Sequence, residues 1–184
     1  MVTPHGPVFQ DAVAVAGTPE LKGDLGQFRA SQVAFSLTND QELVDSLTVE
    51  AEAEGIPTVV MSEGRARRFS VGTSLDHGVM VPLYFIRQAY QEDMYRFGLA
   101  VHRAVRSSGR RAAVIASGDL SHRLTPDAPS GYRPEGAVYD REMERITAEG
   151  DLLALFSLPP QLVERAGDCA LRSFTIAWGM ADGY

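Results

Sequence analysis

The stretch RAAVIASGDLSH, residues 111–122, decides how the chain is read. Arg111 to Ser117 is short and apolar and carries the β-branched pair Val114-Ile115, which predicts a buried β-strand. It breaks into Gly118-Asp119-Leu120-Ser121-His122, a polar loop at the strand's carboxyl end. In open α/β sheets, ligands bind in the crevice beyond the carboxyl ends of the strands.

Working outward, helices and short strands alternate. Residues 8–16 (VFQDAVAVA), 32–37 (QVAFSL) and 58–61 (TVVM) read as strands, and residues 17–31 as a Gly-rich polar loop. Asn39 or Asp40 is placed to cap a helix running to about Glu54, with Gly55 ending it and Pro57 beyond. Residues 62–76 form a polar loop. Helical patterning is predicted from Val79 to Tyr90, with Pro82 in the first turn, and again from Glu92 to Ser107, closed by Gly109. His102 falls inside that second stretch and is expected at the surface. Residues 123–136 make a long Pro- and Gly-rich loop, of the kind that is usually functional. Helices follow over 137–149, 151–156, 160–166 and 171–180. The fold class expected is α/β, a layered sheet with helices on both faces, in one domain over residues 1–184.

Bulk properties exclude several functions. The formal net charge is −7 and the pI about 5.1, which argues against a nucleic-acid partner. The short basic runs at Arg65 to Arg68 and Arg110-Arg111 do not reverse this. No apolar run is long enough for a transmembrane helix, and the amino terminus lacks the pattern of a signal peptide. Cys169 is the only cysteine, so no disulfide can form within the chain. Residence in the cytoplasm is the expectation.

Three of the four histidines stand beside backbone-bending or acidic residues: His5 in Pro4-His5-Gly6-Pro7, His77 in Asp76-His77-Gly78, and His122 after Gly118-Asp119. Neutral imidazole is the commonest metal ligand, and it also titrates near neutral pH. A carboxylate at Asp76 or Asp119 could orient an imidazole or bind metal itself. No His-Glu-x-x-His, P-loop, Gly-x-Gly-x-x-Gly, Cys-x-x-Cys or Gly-x-Ser-x-Gly motif is present. A small buried hydrophobe is the commoner role for a free cysteine such as Cys169. Trp178, with Phe174 and Met180, reads as core, Arg172 as an anion site or a helix-end ion pair, and Tyr132 as a pocket wall or its cover.

Pro4-His5-Gly6-Pro7-Val8-Phe9, Leu75-Asp76-His77-Gly78-Val79-Met80-Val81-Pro82-Leu83 and Ala116-Ser117-Gly118-Asp119-Leu120-Ser121-His122 together resemble the class III extradiol ring-cleavage dioxygenase superfamily. The similarity is to domains like the protocatechuate 4,5-dioxygenase beta subunit. It is nearest the branch that includes Memo and the proteins associated with radical-SAM enzymes, which Cys169-Ala170-Leu171-Arg172-Ser173 also fits. Order and approximate spacing agree over nearly the whole chain.

That resemblance implies a non-haem Fe(II) oxidoreductase that opens an aromatic diol with dioxygen, with Zn or Cu as other metals the pocket could take. It implies His5 as a metal ligand, His122 as the acid/base and His77 as a second catalytic pocket residue. Three departures accompany it. The family's first histidine-bearing strand would precede Met1. Where catechol-cleaving members have a sequence similar to His-Glu-Ile-Arg, this chain has Cys169-Ala170-Leu171-Arg172, so Cys169 becomes the metal-ligand candidate. The Tyr90 to Met94 stretch is short by one strand. The alternative these departures favour is a Memo-like accessory protein that binds metal and a partner, such as a radical-SAM protein. A homodimer is a further expectation from the superfamily.

Overall fold

A computed structural model describes residues 1–4, 9, 11–61, 79–80, 88–128 and 130–182. Among these residues the main sheet has four strands in the order β1-β6-β2-β5, where β1 is Val2–Thr3, β2 Val13–Ala16, β5 Thr58–Met61 and β6 Val79–Met80. β2 lies parallel to β5 and antiparallel to β6, and β1 lies parallel to β6. All four residues of β2 are buried, as a strand covered on both faces must be. Val13 and Val15 face a core made with Val44, Leu47 and Ala51 of helix α1 (Gln41–Ala53) and Met94, Phe97 and Ala100 of helix α2 (Gln88–Ser108). Ala14, from the opposite face, packs with Met61, Phe9 and Val59. The layered α/β expectation holds.

A second core lies among the carboxyl-terminal helices: α3 (Pro134–Glu149), α4 (Leu152–Phe156), α5 (Pro160–Ala166) and α6 (Leu171–Ala181). Tyr139, Met143 and Ile146 of α3 repeat at helical spacing and are fully buried against Leu155, Val163 and Leu171. Helix α6 joins the two cores. Its Ile176 enters the first, while Leu171, Phe174 and Trp178 enter the second. Trp178 is thus a packing residue, as expected. α6 can approach α2 closely because both are glycine where they cross: a β-carbon on Gly98 would lie 2.2 Å from the Ile176 carbonyl oxygen.

Local signals set most helix limits. Asp40 caps α1 by accepting the Leu43 N–H, and Gly55 takes the left-handed conformation (φ +71°) just past its end. Gly109, Gly150 and Gly167 do the same after α2, α3 and α5. Helix α3 starts earlier than position 137 because Pro134 sits at its first turn, where a missing N–H costs nothing.

Four expectations are corrected. The supposed loop 17–31 contains strand β3 (Glu20–Leu25), paired antiparallel with β4 (Ala30–Thr38) in a separate ribbon. Gly23 and the charges at Lys22 and Asp24 mask its alternation. Val79–Met80 is a strand, not a helix start, because it pairs with both β1 and β2. The strand expected at 111–117 reduces to one parallel bridge, Val2 to Ala116. Its neighbour β1 is two residues long and offers only two backbone bonds, Val2 N–H to Ile115 C=O and Ser117 N–H to Val2 C=O, each 2.8 Å. Finally, His102 is buried, with Nδ1 3.1 Å from the Met180 carbonyl oxygen, because its face of α2 packs on α6. Among the described residues no helix is long and apolar enough to cross a membrane.

Candidate metal site

The site forms where two loops lie on each other. The first runs from Gly118 to His122, past the segment bonded to β1. The second is Asp168-Cys169-Ala170, just before α6. Gly118 has φ +151°, and a β-carbon there would lie 2.6 Å from the Ala170 Cα. Only glycine lets the two backbones come this close. The peptide groups then lace together. The Asp119 carbonyl accepts from Cys169 N–H (3.0 Å) and Ala170 N–H (3.1 Å), and the Asp119 N–H donates to Cys169 Sγ (3.1 Å).

This lacing brings Asp119, His122 and Cys169 together, with one donor atom from each lying within 4.8 Å of the others. His122 Nε2 is 3.8 Å from an Asp119 carboxylate oxygen. That nitrogen is buried and has no hydrogen-bond partner, an expensive state for an imidazole unless a ligand completes it. Cys169 is half-buried, and burial pushes its thiol above the ordinary value. The Asp119 carboxylate is exposed. Imidazole nitrogen, sulfur and carboxylate oxygen are all donors for first-row divalent metals, and donors on one tetrahedral metal sit about 3.5 Å apart. The three residues therefore fit a metal ion after small side-chain adjustments.

Around this trio stands a partly buried polar shell. The Ser121 N–H donates to Asp140 Oδ1 (2.9 Å), and the Ser121 hydroxyl donates to the Ala166 carbonyl (2.8 Å). Gly136 of α3 lies under that hydroxyl, where a β-carbon would come within 2.4 Å of it. Asp168 accepts the Leu171 N–H at the start of α6 (2.7 Å). Burial raises the Asp168 carboxyl even though the Leu171 N–H, Tyr139 and the nearby Arg172 favour its charged form. The Tyr139 hydroxyl is buried beside Asp168 without a well-formed hydrogen bond, and burial followed by that carboxyl pushes it up.

Of the sequence candidates, His122 and Cys169 meet, with Asp119 as a potential third donor. His5, His77 and Asp76 lie outside the described residues. Arg172 is buried at the start of α6, near Asp168, and Tyr132 is exposed. Sequence reasoning missed Tyr139, Asp140 and Asp168. Only Asp168 left a trace, by standing next to Cys169.

The geometry thus gathers three potential metal donors on two loops, beyond the segment that bonds to β1. Residues 1–184 match the family model of the catalytic LigB subunit of aromatic ring-opening dioxygenases, and the chain belongs to that family. It is 38% identical over 197 aligned residues to "Protein CA_C1420" of Clostridium acetobutylicum, covering all of this chain and 42% of that protein. It is 25% identical over 162 residues to the 2-aminophenol 1,6-dioxygenase beta subunit of a Pseudomonas species, covering 72% of this chain and 51% of that subunit. The chain thus spans about half or less of the length of these relatives.

Proposed function

We propose that the protein is an Fe(II)-dependent oxidoreductase of the extradiol type, opening the ring of an aromatic diol with dioxygen. One observation carries this reading: the buried His122 Nε2 has no partner of its own and lies within 4.8 Å of donor atoms of Cys169 and Asp119, so that a proton acceptor stands beside potential metal ligands, in a chain of a ring-opening dioxygenase family. Fe(II), when bound, would supply Lewis acidity and a redox couple for dioxygen chemistry. Cys169 and His5 would hold it. His122 Nε2 would take the proton from a diol hydroxyl and return it to the opened product. His77 would contact the substrate.

The sulfur donor favours a second reading. A thiolate also suits Zn or Cu(I), so the pocket would then bind metal without opening a ring and serve a partner protein.

Anaerobic loading with Fe(II), then oxygen uptake with catechol, protocatechuate and 2-aminophenol, separates the two. The first reading expects uptake that stops with a chelator, with kcat falling about 10²-fold or more in His122→Ala. Bound metal without uptake for any of these substrates overturns the first reading and leaves the second.

A further inference from the structure

Nothing in the metal chemistry explains why two adjacent residues of α3 reach separately to the two loops of the site. Asp140 takes the N–H of Ser121, the residue before His122. Tyr139 is fully buried beside Asp168, the residue before Cys169. One turn earlier, Gly136 admits the Ser121 hydroxyl. We propose that Tyr139 and Asp140 are positioning residues that fix the separation of His122 and Cys169.

Helix α3 is a suitable gauge. It is a 16-residue helix started by Pro134 and closed by Gly150 in the left-handed conformation, and Tyr139, Met143 and Ile146 lock it into the second core. Neighbouring residues on such a helix cannot shift relative to one another, so the Asp140 hydrogen bond to one loop and the packing of Tyr139 beside the other move as one. Direct contacts between the loops run mainly through peptide groups, which set backbone spacing and leave the loops' orientation to their supports. Groups outside the donor shell commonly set ligand geometry in this way.

The proposal rests on the metal reading for one of its two readouts only. The first is Co(II) titration of the purified protein, following sulfur-to-cobalt charge-transfer absorption well below the unfolding transition. Asp140→Ala should bind Co(II) about tenfold more weakly and lose charge-transfer intensity. Asp140→Asn should recover both, because its amide oxygen still accepts the Ser121 N–H. Tyr139→Phe keeps the buried ring and should weaken binding less than Asp140→Ala.

Wild-type affinity and absorption in Asp140→Ala overturn the proposal. So does an Asp140→Asn variant as defective as the alanine, since that would assign the effect to charge. If Asp140→Ala does not fold, Tyr139→Phe decides, and wild-type binding there overturns the proposal. If the wild-type protein shows no sulfur–cobalt band, the metal reading of Cys169 fails. The second readout then decides: the rate at which iodoacetamide alkylates Cys169, the only cysteine, at one fixed pH. A several-fold change in Asp140→Ala that Asp140→Asn reverses supports the positioning role, and equal rates in all three proteins overturn it.

Discussion

The loops that carry His122 and Cys169 and the β3–β4 ribbon are opposites in how they are held. The loops have almost no regular structure, yet their peptide groups bond to each other and their neighbours to α3 and α5. The ribbon is paired strand with one break in register after Asp24, yet Val33 and Leu37 on its apolar side are 50% and 55% exposed. On its other side Glu20 pairs with Lys22 and accepts from the Ser36 hydroxyl. Among the described residues it is tied at its base, where Asn39 donates from its side chain to the Ala16 carbonyl and from its N–H to the Pro19 carbonyl. Regular secondary structure is therefore a poor guide to rigidity here. Buried partners are the better one, and a two-stranded ribbon alone is marginal in water.

The largest effect is expected where the rigid half is closest packed. Gly98→Val drives a branched side chain into the backbone of α6, where Ile176 O, Met180 N and Gly179 Cα all lie within 3 Å of the added β-carbon. Backbone cannot move aside as a flexible side chain can. A loss of about 3 kcal/mol or more is expected in urea unfolding. Wild-type stability would show that α2 and α6 are not so tightly crossed.

Next comes the junction of the two site loops. Gly118→Ala adds a β-carbon against Ala170 in a conformation that L-residues avoid. About 1–3 kcal/mol of strain is expected. The loop bearing His122 should move away from Cys169, so Co(II) binding should weaken more than stability falls. A matched, small loss in both would show the loops to be independent.

Surface charge on the rigid half should matter less. Arg96 and Arg103 of α2 both bond Glu54 at the end of α1. Burial alone would raise the Glu54 carboxyl, but these hydrogen bonds and charges outweigh it and hold it below its ordinary value of 4.5. A lowered value means that the stabilisation is complete above the unfolded value and disappears as pH falls through the folded one. Glu54→Gln should cost about 1 kcal/mol at pH 7, and the difference from wild type should shrink as pH drops below the ordinary value. A gap that stays constant down to pH 3 would rule out this ion pair as its source.

What the sequence revealed divides along the same line. Helix ends were legible because their signals are local: Asp40, Asp151, Pro160, Gly55 and Gly109 each act within a turn of where they stand. His122 and Cys169 stood out through motif context. Tyr139 did not, because at positions 139, 143 and 146 it repeats like any core residue, and nothing local marks its hydroxyl. Nothing local marks Asp140 either, because its bond to Ser121 crosses 19 residues of chain. The 111–117 segment has the composition of a central strand, but strand character needs a neighbour long enough to pair with, and composition cannot supply one. β3 was hidden for the converse reason: its pairing with β4 is extensive, while Gly23 and its charges suggest a loop.

The smallest effect is expected on the ribbon, and it tests the opening contrast most directly. Leu37 sits opposite Leu21 across the strand pair, and a leucine is ordinarily a core residue. Its half-exposed side chain loses little contact with water on folding. Leu37→Ser should therefore change stability by no more than about 0.5 kcal/mol and leave Co(II) binding untouched. A buried leucine cut back to alanine costs about 2–5 kcal/mol. If Leu37→Ser falls in that range, the ribbon's apolar side is covered in solution, and the difference between the two regions lies in what covers them instead of in how firmly they are held.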